Sequence, residues 1–167
     1  GCQSIQTGWN ASWFGEAPAA TVPDRILVIW ADTVLHQPGK PGIRGFGGRL
    51  YFYRDGETDP VTVDGSVTVY VFDGEALDPN RGAPLKKYVV TADQFAGHHS
   101  KTSLGDSYNI WVPWDRVGGP NRVFSLVVRF DGREGGTVLG QPSTKLLPGV
   151  AASDHAPFPI RRASHEL

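Results

Sequence analysis

The chain has 167 residues, a net charge of −1, 20% charged and 40% hydrophobic residues, which suits one globular domain with tails to spare. No basic excess points to nucleic acid, and no acidic run points to a solvated tail. With 21 glycines and 13 prolines set among β-branched runs and no collagen period, the composition implies many turns between short strands.

Cys2 is the one cysteine, so an internal disulfide and a cysteine-rich structural zinc site are both excluded. The sequence holds no run of about 18 apolar residues of the kind that crosses a bilayer. Gly1-Cys2 has the form of a bacterial lipoprotein processing site, in which a small residue precedes the cysteine that receives the lipid. The lack of methionine, even at position 1, fits removal of a leader. On this reading, hydrocarbon attached to Cys2 tethers the domain to a membrane surface. The alternative is an arbitrary boundary beside an unimportant thiol.

Residues 1–24 read as an extended tether. Trp9, Trp13 and Phe14 follow no clean period, and Pro18 and Pro23 come late. These aromatics either contact a partner or a membrane interface, or pack back onto their own domain. The domain proper is expected over 25–149. Arg25 to Leu35 is a strand apolar on both faces, as suits a central strand covered on both sides. His36 to Gly48, rich in Pro and Gly and holding His36, Gln37, Lys40 and Arg44, reads as a crossover loop between two sheets. From Arg49 to Arg54, Leu50 and Phe52 alternate with Tyr51 and Tyr53. From Val61 to Val71, valines occupy odd positions. Asp55-Gly56 supplies a reversal between them and Pro60 stays out of the ladder, which predicts a β-hairpin founding an all-β domain.

After a polar loop over 74–84, Leu85 to Thr91 forms a short strand. Thr91-Ala92-Asp93-Gln94 then fits a capping box, predicting one short helix over Ala92 to Ala96 ended by Gly97. Ser107 to Trp114 and Arg122 to Asp131 are two further strands around a Gly/Pro turn, with Pro113 at an edge. A last strand runs from Thr137 to Gly140 or on towards Ser143, and Leu146 to Gly149 closes the domain. Residues 150–167 read as an extended tail, in which Phe158 and Ile160 beside Arg161-Arg162 either dock along a partner or fray.

Motifs that carry chemistry are sparse. There is no G-x-S-x-G elbow, P-loop, H-E-x-x-H or EF-hand loop. Gly45-Phe46-Gly47-Gly48 loosely resembles a phosphate loop, but a strand follows it where a helix N-terminus would be needed. His98-His99 are neighbours, which in a strand point to opposite faces, and no metal site is assigned to them. Asp32 with Asp64 is a carboxylate pair by guesswork alone. No catalytic residue, cofactor or metal ligand is therefore assigned. An enzyme would need a polar pocket around His36 or His98.

With those segments laid out, a resemblance can be named. IWADTVLHQPGKPGIRGFGGRLYFY, VDGSVTVYVFD, SYNIWVPWDRVGG with FSLVVRF, and LLPG resemble a largely uncharacterised group of exported proteins of planctomycete bacteria, over Ile29 to Gly149. The resemblance implies an exported β-sandwich and carries over no catalytic residue. The expectation is a single antiparallel β-sandwich, immunoglobulin- or transthyretin-like, with seven to eight strands and one short helix. Its expected role is non-enzymatic: a lipid-anchored structural or accessory subunit in the cell envelope. Its expected partners are other envelope proteins or copies of itself, met through extended termini. The alternative is a glycan- or ligand-binding module whose face is lined by Tyr51, Tyr53, Tyr70 and Phe72.

Overall fold

The computed structural model describes residues 20–74 and 82–151. Within them lie β1 (Arg25–Gln37), β2 (Lys40–Tyr53), β3 (Gly65–Asp73), β4 (Lys86–Val90), α1 (Ala92–Ala96), β5 (His99–Thr102), β6 (Gly105–Arg116), β7 (Arg122–Gly132), β8 (Thr137–Leu139) and β9 (Ser143–Leu147). Two antiparallel sheets result. One has the order β1-β2-β6-β5; the other runs β4-β3-β7, with β8 and β9 both paired to β7 along one edge. The chain is an all-β sandwich. Its order is that of the immunoglobulin arrangement, with β1-β2-β6-β5 standing for strands A, B, E and D and β4-β3-β7-β8/β9 for C′, C, F and G. The nine strands exceed the expected seven to eight because β5 forms a short edge and the last strand is broken in two.

The period-two pattern explains which side chains face inward. Leu50 and Phe52 of β2 meet Val67, Val69 and Val71 of β3 and Phe124, Leu126, Val128 and Phe130 of β7 in one core. Two aromatic pairs tie β2 to β7 across the layers: Phe46 with Phe124 at 6.1 Å and Phe52 with Phe130 at 5.0 Å between ring centroids. These are the strands that an immunoglobulin domain commonly joins by a disulfide. Here ring packing holds them, worth about 0.5–1.5 kcal/mol per pair beyond the area buried.

The hairpin and the crossover exchange places relative to the sequence expectation. β1 and β2 form the hairpin, reversing at Pro38-Gly39 with Gly39 at φ +71°, so His36 to Gly48 is not a crossover loop. β2 and β3 lie in different sheets, so the hairpin expected around Asp55-Gly56 is the crossover. Gly56 does adopt the expected left-handed conformation, at φ +84°. Two glycines of β2, Gly45 and Gly48, sit in the strand where tryptophan rings, and at Gly45 also the Val112 carbonyl, occupy the space a side chain would fill. A Cβ on Gly48 would come within 2.6 Å of the Trp30 ring, and one on Gly45 within 2.9 Å of Trp111. In the crossover, the Tyr108 hydroxyl accepts from Val63 N–H at 2.9 Å and donates to Val63 C=O at 3.2 Å. Those bonds replace a ladder, which begins only at Gly65.

The short helix forms as expected. The Thr91 side chain accepts from Gln94 N–H, Gln94 Oε1 accepts from Thr91 N–H at 3.1 Å, and Phe95 is buried. β1 differs from expectation. Among the described residues it pairs only with β2 and is an edge strand, not a central one, with Leu27 and Ile29 exposed on one face.

Candidate functional site

β1 and its turn build the most distinctive surface. Ile26 and Trp30 point into the core, while Leu27 and Ile29 on the opposite face are 48% and 54% exposed. From Ala31 to Pro41 every residue is exposed, so the β1–β2 hairpin reaches beyond the sandwich as an arm. Its aliphatic side chains emerge on both faces: Val34 on one, Leu35 and Ile43 on the other. Val34, His36 and Val117 close together over Gly42, where a Cβ would lie 3.1–3.2 Å from each. Beside the other half of β1 runs a groove of about 470 Å³ between Arg25 to Val28 and the broken edge at Leu139, Gln141 and Ser143. Such length and apolarity at an unpaired edge are what proteins ordinarily blunt with bulges, prolines or charge. Asp32 is the one charge midway along it, and none of the hydrogen bonds or ion pairs found joins it to a described residue.

The outer face of the same sheet carries a shallow trough of about 440 Å³ lined by Ile29, Ala31, Gly47, Arg49, Leu104 and Asn109 among others. Gly47 opens it: its φ is not positive, and a Cβ there would meet nothing closer than 3.6 Å. Arg49 Nε donates to Asn109 Oδ1 at 3.0 Å at the rim, and Trp111 lies beside Gly47 in register. Elsewhere several charges pair internally. Arg133 binds Asp64 at 2.9 and 3.0 Å and Asp93 at 2.8 Å, locking the crossover and the β7–β8 turn to α1. His99 Nε2 meets Asp106 Oδ1 at 2.7 Å beside the Tyr108 ring. Tyr88 O–H donates to the Pro113 carbonyl, and Lys86 Nζ lies 4.1 Å from the Trp114 ring centroid.

The sequence-predicted residues distribute as follows. His36 sits on the arm and His98 at the α1–β5 junction. Asp32 is on β1, whereas Asp64 is held by Arg133. Among the described residues no three His, Cys, Asp or Glu side chains converge as metal ligands would. The four aromatics expected to share a face are divided, Tyr51 and Tyr53 on β2 and Tyr70 and Phe72 on β3 in the other sheet, and Tyr51 is buried. Cys2, Trp9, Trp13, Phe14, Phe158 and Ile160 lie outside the described residues. Sequence reasoning missed Arg44. Expected in a loop, it is 3% exposed and bonded to Asp115, 71 positions away, a separation that no local pattern signals. It also missed the exposure of β1, since apolar residues on both faces read the same in an edge and in a central strand.

Comparison with protein families, curated proteins and solved structures returns no match to this chain.

Proposed function

We propose that this domain is a non-enzymatic interaction module, a structural or accessory subunit of a larger cell-envelope assembly. The observation that carries the reading is the β1 edge: a 13-residue strand paired on one side only among the described residues, with Leu27 and Ile29 exposed along it. Edge strands of this kind bind by continuing the sheet, main chain to main chain, with apolar side chains adding specificity. An envelope setting is supported by the resemblance to exported proteins, and a lipid on Cys2 is part of the proposal. Metabolic labelling with a fatty-acid analogue, abolished by Cys2→Ser, tests the lipid. For the assembly, the native protein is extracted gently from its source membranes and its particle mass read by light scattering. A defined particle well above the 18.1 kDa chain is expected, and a solitary monomer overturns the reading.

A second reading, glycan binding, is favoured by the trough over Gly47 with the Arg49–Asn109 pair at its rim and Trp111 beside it. Sugars stack on aromatic faces and bond to paired polar groups. Glycan-array binding lost in Arg49→Ala would support it; an array without hits would dismiss it.

A further inference from the structure

We infer that the neighbour on the β1 edge is a second copy of this chain, paired β1 to β1 antiparallel about a two-fold axis through Ala31. This deepens the interaction-module reading and rests on it. An antiparallel pair keeps its faces only when the two paired residue numbers sum to an even value, since a one-residue slip turns the strand over. For a strand pairing with itself, the axis then passes through a residue. Ala31 is the middle residue of β1, so an axis there pairs the whole strand from Arg25 to Gln37, while any other axis leaves an end unpaired.

That register also matches the exposed side chains. Leu27 of one copy falls opposite Leu35 of the other, Val28 opposite Val34, and Ile29 opposite Thr33. The four exposed aliphatic residues of β1, Leu27, Ile29, Val34 and Leu35, are thereby all covered, twice over. The axis residue is small, so two side chains meet there without conflict. The geometry also gives the projecting arm a place. Thr33 to Gln37 of each copy runs alongside the first residues of the other copy's β1, where the groove to Leu139, Gln141 and Ser143 is open. An axis at Ile29 would leave Val34 and Leu35 outside the pairing. An interface of ordinary size uses roughly 20–30 residues a side. The strand supplies 13 and the groove adds Asp24, Tyr53, Leu139, Gln141 and Ser143, which falls just short of that size and suits a dimer in exchange with monomer. Asp32 works against the pair. Two Asp32 carboxylates lie diagonally across the axis on one face, a repulsion that salt screens.

The test uses the full-length chain with Cys2→Ser, so that an introduced thiol is the only one. Sedimentation velocity across the accessible concentration range should show a monomer–dimer equilibrium with a limiting mass twice 18.1 kDa. Ile29→Lys, a change at an exposed side chain, should weaken it about tenfold or more, because a two-fold interface carries the substitution twice. Asp32→Asn and added salt should both tighten it. Mild oxidation of Ala31→Cys should give a covalent dimer in high yield, since opposed strand residues lie within disulfide reach. Ile29→Cys alone should cross-link poorly, but should do so well when mixed with Thr33→Cys. A dimer that cross-links best at another position overturns the register. A chain that stays monomeric throughout overturns self-pairing, while a large particle from native membranes would still leave the interaction-module reading standing.

Discussion

The guanidinium of Arg44 closes on Asp115 with two parallel hydrogen bonds, Nε to Oδ1 and Nη2 to Oδ2 at 2.8 Å. Its Nη1 donates to the carbonyls of Pro120 and Pro148 at 2.8 and 2.9 Å. One side chain thus joins β2, the end of β6, the β6–β7 turn and the segment after β9. Gly119 and Gly149 are glycines for this reason: a Cβ on either would come within 2.3 Å of the guanidinium. Arg44→Met should cost about 2–4 kcal/mol, because it leaves a carboxylate and two carbonyls without their donor. Urea unfolding should show a lower midpoint with an unchanged slope. Gly149→Ala should lower it too, by crowding the guanidinium while removing no charge.

The same pair sets an acid limb. The hydrogen bonds from Arg44 hold the Asp115 carboxyl below its ordinary value, against the opposing effect of burial. A carboxyl depressed in the folded state contributes stability that is complete above its unfolded pKa, about 3.9, and is lost as pH falls through the lower folded value. Stability of the native chain should therefore decline below about pH 4. Asp115→Asn, less stable at neutral pH, should decline less over that interval, as chemical denaturation at successive pH values would show. Equal acid slopes would contradict the assignment.

Gly47 and Gly48 are adjacent, and alanine should act on them oppositely. At Gly48 a methyl group would strike the Trp30 ring, with an overpacking cost of about 1–3 kcal/mol. At Gly47 it would make only an ordinary van der Waals contact with Thr33, at 3.6 Å, and should stabilise by about 0.4–1 kcal/mol through the unfolded chain. Thermal melts of the two variants decide this. In a Trp30→Leu background the penalty at Gly48 should shrink, which a double-mutant cycle reads directly.

Tyr108 carries the buried end of the crossover. Tyr108→Phe leaves both main-chain groups of Val63 without a partner and should cost about 1–3 kcal/mol. Burial raises the Tyr108 pKa, and Tyr88 is raised for the same reason. For a group raised in the folded state, stability is complete below the unfolded pKa, about 10, and is lost as pH rises through the folded value. Phenolate absorbance should show two tyrosines titrating late in the native protein, and Tyr108→Phe should remove one of them.

The sequence by itself determined the helix, most of the strands and their inward faces, though not β5, the first part of β2 or the start of β3 at Gly65. Alternation at Val67, Val69 and Val71 or Phe124, Leu126 and Phe130 is a local consequence of the pleat, and the box of Thr91 and Gln94 is complete within four residues. Which strand lies beside which was decided only in three dimensions. A glycine-rich stretch such as Gly45 to Gly48 reads as a loop until Trp30 and Trp111 are seen to lie against it. A turn at Gly56 serves a hairpin or a crossover equally well. β1 reads as central from its apolar faces and is an edge because, among the described residues, β2 alone pairs with it. Arg44 finds Asp115 across 71 residues. Periodicity records how a strand meets the core, but pairing depends on distant burial and hydrogen bonding, which adjacent residues do not encode.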